Sequence, residues 1–244
     1  MNDNYLENIK TEDELFDLWK KKPLFVGANN VIIDHGSNVF VSDGIVNNRE
    51  WNKTDNNRIL FVLKEAHSQP EGATITKWIS YMKPKDYKIW KRVVEWTYGI
   101  TNTTIDEIPK FSTDIFDYND NNIWLNRIAM LNIKKSNGKK RSSAKELKEY
   151  AKYDKKEIIK QIELINPKII ICGNTGWLLD LIFDGQIKKG VNNEDWYYFA
   201  ELFGEKRIIL DYYHPANQKG KQFNYEKITS IYQQALKDKG ITAR

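Results

Sequence analysis

Short apolar runs, separated by amphipathic stretches, dominate the middle and the end of this chain. Four runs are rich in aliphatic and β-branched residues and have the length of buried strands. They are residues 58–63, 128–133, 168–172 and 207–211. Helical patterns follow at residues 73–82, 85–97, 144–165, 174–183 and 225–237. Strands that alternate with helices predict a three-layer α/β/α sandwich with a central, mainly parallel sheet of about four strands.

The first 54 residues carry a weaker pattern. Leu15, Leu18 and Trp19 recur at helical spacing and predict an amphipathic helix over residues 11–22. Two apolar stretches around a turn at His35 predict short strands, and we assign this histidine no functional role. No repeat or Pro/Gly/Ser-rich linker separates this region from the rest. We therefore predict a single domain in which residues 1–54 elaborate a core over residues 55–238.

Composition narrows the class of protein. The 244 residues suit one α/β domain. A single cysteine, Cys172, excludes a disulfide framework or a cysteine-ligated cluster within one chain. The three histidines are far apart, so we expect neither a metal nor a cofactor. No signal peptide and no apolar stretch of membrane-spanning length is present, and we expect a cytoplasmic monomer that does not bind membranes.

The charge of the chain is distributed unevenly. The net charge is +5 and the pI is about 8.9, which is only mildly basic. Residues 134–141, however, read KKSNGKKR and contain no acid. The cations predicted to contact DNA phosphates are Lys134, Lys135, Lys139, Lys140 and Arg141. A solvated loop without a partner explains the same composition.

Polar side chains stand where each predicted strand ends. Parallel sheets bind ligands beyond the carboxyl ends of their strands, so these positions are the candidates for chemistry. They are Glu65 and His67 after the first run, Asn132 in the second, Asn174 after the third, and His214 and Asn217 after the fourth. Their common position at strand ends indicates one crevice.

Hydrolysis of an N-glycosidic bond requires residues of these types. The sugar develops positive charge, so a carboxylate such as Glu65 stabilises it and positions the attacking water. The base leaves as an anion, which a donor such as His214 stabilises. A side-chain amide such as that of Asn132 reads a base edge because it offers both a donor and an acceptor. A flipped nucleotide also needs a basic approach, which residues 134–141 would supply.

The same segments resemble the motifs of the uracil-DNA glycosylase superfamily. Its motif A, an apolar strand followed by G-x-[DN]-P, is similar to RILFVLKEAHS. Its strand that ends in a base-reading Asn is similar to IAMLNIKK, and its core strand before a helix to PKIIICG. Its motif B, H-P-[SA] with a short DNA-contacting loop, is similar to LDYYHPAN. The order and the spacing of the motifs also match, over about residues 55–235.

The resemblance implies a monofunctional DNA glycosylase that leaves an abasic site and needs no cofactor. Glu65 then holds the position of the catalytic Asp or Asn, Asn132 reads the base, and His214 donates to a base oxygen as the base leaves. The loop after motif B would press on the duplex. Its expected DNA contacts are Asn217, Lys219 and Lys221.

The motif A region departs from the family pattern. Lys64 replaces or adjoins the glycine before the acidic position, and Ala66 replaces the proline. His67 replaces a residue that often shields the pocket floor, and Trp78 and Tyr81 are our candidates for stacking on the base. A changed pocket wall favours a modified pyrimidine over plain uracil, for example in defence against phages with modified DNA. Lys64 is also the one lysine to test as a Schiff-base nucleophile.

Each of these residues also has an ordinary structural interpretation. Glu65 could begin a helix, His214 could shape a turn before proline, and Asn132 could satisfy backbone groups at a strand end. His67 could be a surface residue, and Trp78 belongs more often to a core. Two rival functions follow from these interpretations. One is a nucleic-acid-binding module without turnover, and the other is an N-glycosidase of free nucleosides or nucleotides.

Overall fold

One six-stranded sheet organises the fold. The computed structural model describes residues 5–37, 39–67, 70, 72–113, 123–139, 141–187 and 196–241. The strands of the sheet are β3 (Gly44–Ile45), β4 (Ile59–His67), β5 (Ile128–Gly138), β6 (Ile169–Gly173), β7 (Tyr197–Leu202) and β8 (Glu205–Tyr212). Two further strands, β1 (Phe25–Val26) and β2 (Ile32–Ile33), pair separately.

The strand order of the sheet is β3-β5-β4-β6-β8-β7. The four predicted strands form its parallel centre, and β3 and β7 add antiparallel edges. The predicted three-layer sandwich is confirmed, with six strands in place of about four. The two extra strands escaped prediction for different reasons. β3 is only two residues long, and β7 is an aromatic run whose partner is the hairpin strand β8.

In the part of the chain that the structure describes, seven helices cover the two faces of the sheet. They are α1 (Glu12–Trp19), α3 (Ile75–Tyr81), α4 (Lys88–Asn102), α5 (Ala144–Tyr153), α6 (Lys155–Ile165), α7 (Gly176–Ile182) and α8 (Lys221–Ile241). Alternate residues of β4 point to opposite sides, as a strand requires. Phe61 packs with α3, α4 and α8, whereas Val62 packs with α1, α5, α6 and α7. A short helix, α2 (Asn48–Trp51), lies after β3. None of the helices in the described ranges is both long and apolar enough to span a membrane.

The helix predicted over residues 144–165 is interrupted at Asp154. This residue ends α5, begins α6 and is fully buried. Its carboxylate accepts hydrogen bonds from Lys22 Nζ and His35 Nε2, both at 3.0 Å. A buried carboxylate needs such partners, so the interruption between α5 and α6 depends on Lys22 and His35 of the N-terminal region.

Asp43 ties the edge of the sheet to two other elements. Its carboxylate accepts from the backbone N of Asn132 at 2.6 Å, from Lys135 Nζ at 2.6 Å and from Gln161 Nε2 at 2.9 Å. Glu12 in α1 joins this cluster by accepting from Gln161 at 3.0 Å. Burial raises the pKa of Glu12 from 4.5 to about 7, against the lowering effect of its hydrogen bonds.

The raised pKa of Glu12 predicts a fall in stability between about pH 5 and pH 8. The native state binds more protons than the unfolded state in this range, so unfolding becomes easier as the pH rises. We expect Glu12→Gln to gain about 1–3 kcal/mol of unfolding free energy relative to wild type between pH 5 and pH 8. Urea denaturation at both pH values measures this change. Glu14→Gln, on the exposed side of the same helix, is the control. A Glu12→Gln effect that does not vary with pH would contradict the assignment.

Candidate functional site

A cleft of about 670 Å³ opens at the carboxyl ends of β4 and β5, beside the loop that follows β8. Parallel strand ends and the His214 loop meet here, as the sequence predicts for a ligand site. The residues that line the cleft are Lys64, Glu65, His67, Lys139, Arg141, Ser142, His214, Ala216 and Asn217. Six of the predicted site residues therefore share one cleft.

Glu65 lies at the base of the cleft with only 5% of its side chain exposed. Its Oε2 is 3.3 Å from Lys134 Nζ, whereas its buried Oε1 has no hydrogen-bond partner among the described residues. Gly138 leaves room for this side chain, because a Cβ there would lie 2.3 Å from Glu65 Cγ. Lys134 thus holds one carboxylate oxygen of Glu65, whereas no donor among the described residues reaches the other.

Lys134 is a buried counter-charge, which corrects its predicted role as a DNA contact. Its side chain is 4% exposed, and its Nζ is 2.6 Å from Glu146 Oε1. Burial alone would lower the pKa of this ammonium, but the hydrogen bond and charge of Glu146 and the charge of Glu65 raise it above its ordinary value. The two carboxylates thus keep Lys134 charged.

His214 is held in one orientation and one tautomer. The backbone N–H of Ala216 donates to its Nδ1 at 3.1 Å, so the neutral ring carries its proton on Nε2. Burial, assisted by the charge of Lys64, lowers the pKa of His214 from 6.5 to about 4. Near neutral pH the ring is therefore an uncharged donor through Nε2.

Arg92 fixes the loop that carries His214. Its buried guanidinium donates to the carbonyl oxygens of Pro215, Asn217 and Lys219 at 3.0, 2.8 and 2.7 Å. The Asn217 side chain donates to the carbonyl of His214 at 2.9 Å, and so serves the loop itself. Arg92 was not among the residues predicted for the site. The sequence feature that could have indicated it is a charged residue among the apolar positions of α4.

A basic rim borders the cleft. Lys139 is 76% exposed and 3.8 Å from Glu146, and Arg141 is also exposed. Lys219 lies on the adjoining loop with its Nζ 5.0 Å from the centres of the Tyr213 and Phe223 rings. Lys221 is exposed where α8 begins. The remaining predicted contact, Lys140, lies outside the described residues.

Three predicted site residues lie away from the cleft. Lys135 is fully buried with its Nζ on Asp43, so its prediction as a DNA contact is wrong. The amide of Asn132 donates to Asp43 at 3.3 Å, and this residue does not line the cleft. Trp78 is half-buried and packs edge-on against Tyr87 and Trp90 at the margin of the hydrophobic core. Base reading by Asn132 and stacking by Trp78 do not fit these positions.

No protein-family model matches this chain, and no curated protein is similar to it in sequence. The resemblance to the uracil-DNA glycosylase superfamily therefore stays a prediction from the residues. Within the described part of the chain, no three His, Cys, Asp or Glu side chains come together as a metal site would require.

The geometry of His214 predicts a neutral imidazole at pH 6 with its proton on Nε2. Its pKa of about 4 lies two units below that pH, and its Nδ1 is occupied as an acceptor. Long-range ¹H–¹⁵N spectra of the wild type report both properties, and His214→Gln identifies the resonance. An imidazolium at pH 6, or a proton on Nδ1, would refute the assigned environment.

The burial of Lys134 predicts a large effect on stability. Lys134→Met leaves Glu65 and Glu146 without their shared cation, and we expect it to cost about 2–4 kcal/mol of unfolding free energy. Lys139→Met, which removes an exposed cation directly after the same strand, should change stability by less than about 0.5 kcal/mol. Urea denaturation compares the two. Equal, small losses of unfolding free energy in the two variants would contradict the burial of Lys134.

Proposed function

We propose that this protein is a DNA glycosylase that hydrolyses the N-glycosidic bond of a modified pyrimidine or uracil and leaves an abasic site. One observation carries the proposal. A low-exposure carboxylate and a neutral histidine donor, Glu65 and His214, share one cleft with a basic rim. This is the combination of groups that the reaction needs on its two sides.

Glu65 serves the sugar side of the reaction. Its carboxylate stabilises the positive charge that develops on the sugar and positions the attacking water in the cleft. The ion pair with Lys134 holds its Oε2 in place. A fixed carboxylate reduces the reorganisation needed when the charge develops.

His214 serves the base side. Its Nε2–H donates to an oxygen of the departing base, and Nδ1 remains occupied by Ala216 N–H. The low pKa of His214 keeps its ring uncharged at neutral pH, so that Nε2–H donates to the base without adding a charge. With Asn132 bonded to Asp43, no amide is assigned to the base edge.

Lys139 and Arg141 give the cleft its affinity for the DNA backbone. Both are exposed beside the pocket, where phosphates of an extruded nucleotide would pass. The cleft volume of about 670 Å³ leaves room for a base with a substituent, which favours a modified pyrimidine.

A second candidate function is DNA binding without turnover. The observation that favours it is the 3.3 Å contact of Glu65 with Lys134. A carboxylate oxygen already paired with a buried cation is less available to an attacking water. The two functions are separated by whether the protein releases a base.

The proposed reaction predicts abasic sites in DNA that carries uracil or phage-type modified cytosines. Alkali cleavage of end-labelled duplex and single-stranded DNA after incubation with the protein detects them. Glu65→Gln should lower the rate of base release roughly 100-fold or more while DNA affinity stays within about threefold, because the amide cannot stabilise the sugar cation. Ser142→Ala, in the same cleft, is the control.

Three outcomes discriminate the functions. Tight DNA binding by the wild type without abasic sites in any substrate supports the binding module. Release of base from free nucleosides, unaffected by Lys139→Gln and Arg141→Gln, supports a nucleoside hydrolase. A Glu65→Gln variant as active as wild type would remove Glu65 from the mechanism.

A further inference from the structure

Lys64 is a half-buried lysine in the cleft without a compensating charge. Among the described residues its ammonium has no hydrogen-bond or ion-pair partner. Lys134 and Lys135, also of low exposure, are each held by carboxylates at 2.6 Å. A cation that lines a cleft without an ion pair attracts negative charge on a ligand. The ammonium of Lys64 is therefore available to a ligand that carries or develops negative charge.

The end of β4 and the His214 loop meet over Gly173. A Cβ at Gly173 would lie 2.6 Å from Leu63 Cδ2, 3.3 Å from Pro215 Cδ and 3.5 Å from His214 Cδ2. Lys64 follows Leu63 directly on the strand and lines the cleft together with His214. Lys64 and His214 therefore line the same cleft, on the two elements that meet at Gly173. Consistent with this placement, the charge of Lys64 contributes, after burial, to the low pKa of His214.

We infer that Lys64 is a further catalytic residue whose ammonium, together with the Nε2–H of His214, stabilises the negative charge on the departing base. The inference rests on the glycosylase function proposed above. It adds a full positive charge to a site where His214 alone offers a neutral donor. An ammonium close to a developing anion in a partly desolvated cleft is a strong electrostatic stabiliser.

The reaction divides its charges between two neighbouring residues of β4. The bond between C1′ of the sugar and N1 of the pyrimidine breaks, and its electron pair goes to the base, where Lys64 and His214 stabilise it. The oxygen of water bonds to C1′, and one proton of that water passes to Glu65. The base then takes up a proton from solvent, and Glu65 returns its proton to solvent. Lys64 forms no covalent bond.

This role predicts a changed dependence on the leaving group. An electron-withdrawing substituent lets the base depart with less help, so loss of Lys64 should hurt good leaving groups least. We expect Lys64→Met to slow release of uracil or 5-hydroxymethylcytosine by roughly 100-fold, and of 5-fluorouracil or 5-formylcytosine by roughly 10-fold or less. Single-turnover rates on oligonucleotides of the series that wild type cleaves measure this. Lys64→Arg, which keeps the charge, should restore most of the rate.

A second measurement tests the placement of Lys64 without turnover. In Lys64→Met the NMR titration of His214 should move its pKa upward from about 4, because one of the two lowering influences is gone. Lys160→Met, a low-exposure lysine paired with Glu163 on α6, should leave both the titration and the rates unchanged. An unchanged His214 titration in Lys64→Met would show that the charge of Lys64 does not act on His214, and would overturn the proposed role.

The remaining outcomes separate this inference from the function on which it rests. If wild type releases bases and Lys64→Met loses the same factor for every leaving group, the role of Lys64 is wrong and the glycosylase stands. A covalent adduct trapped by borohydride through Lys64 overturns it in favour of a nucleophile. If wild type releases no base from any of these substrates, the glycosylase function fails, and the role of Lys64 fails with it.

Discussion

Backbone hydrogen bonds between parallel strands force the carboxyl ends of β4, β5, β6 and β8 to one edge of the sheet. The last pair between β4 and β6 is Val62 with Cys172, while β4 and β5 continue further. The carboxyl ends of β4 and β5 therefore extend beyond the end of β6. Glu65 stands on one of them, and Gly173 leaves space where β6 stops. The cleft is a consequence of unequal strand lengths in a parallel sheet.

The buried cations and the cleft-lining cations differ in whether a carboxylate compensates their charge. Lys22, Lys134 and Lys135 are buried against carboxylates and contribute to folding. Lys64 and Arg141 line the cleft without an ion pair among the described residues. Net charge does not report this difference, because paired and unpaired cations count alike. The cleft presents a positive field to a ligand although the whole chain carries only +5.

Sequence patterns within single segments predicted those features of the fold that are decided within a segment. Apolar runs located the four parallel strands, and strand ends located Glu65 and His214, because a parallel sheet gathers its strand ends. The charged run at residues 134–141 was interpreted as a loop, yet β5 continues to Gly138. Lys135 is buried because it shares the inner face of β5 with Ile133 and meets Asp43 there. Its partner lies far away in sequence, as do the partners of Asp154 and the carbonyls that bind Arg92.

Different elements hold Glu65 and His214, the two side chains that we propose to act on the substrate. Glu65 is positioned by Lys134 and Gly138 of β5, and through Lys134 by α5. The His214 loop is held by Arg92 of α4 on the other face of the sheet. The fold thus bears the cost of fixing both groups before a ligand arrives. Because the supports are separate, a change at either anchor should disturb one of the two side chains and leave the other in place, so the carboxylate and the histidine can be perturbed independently.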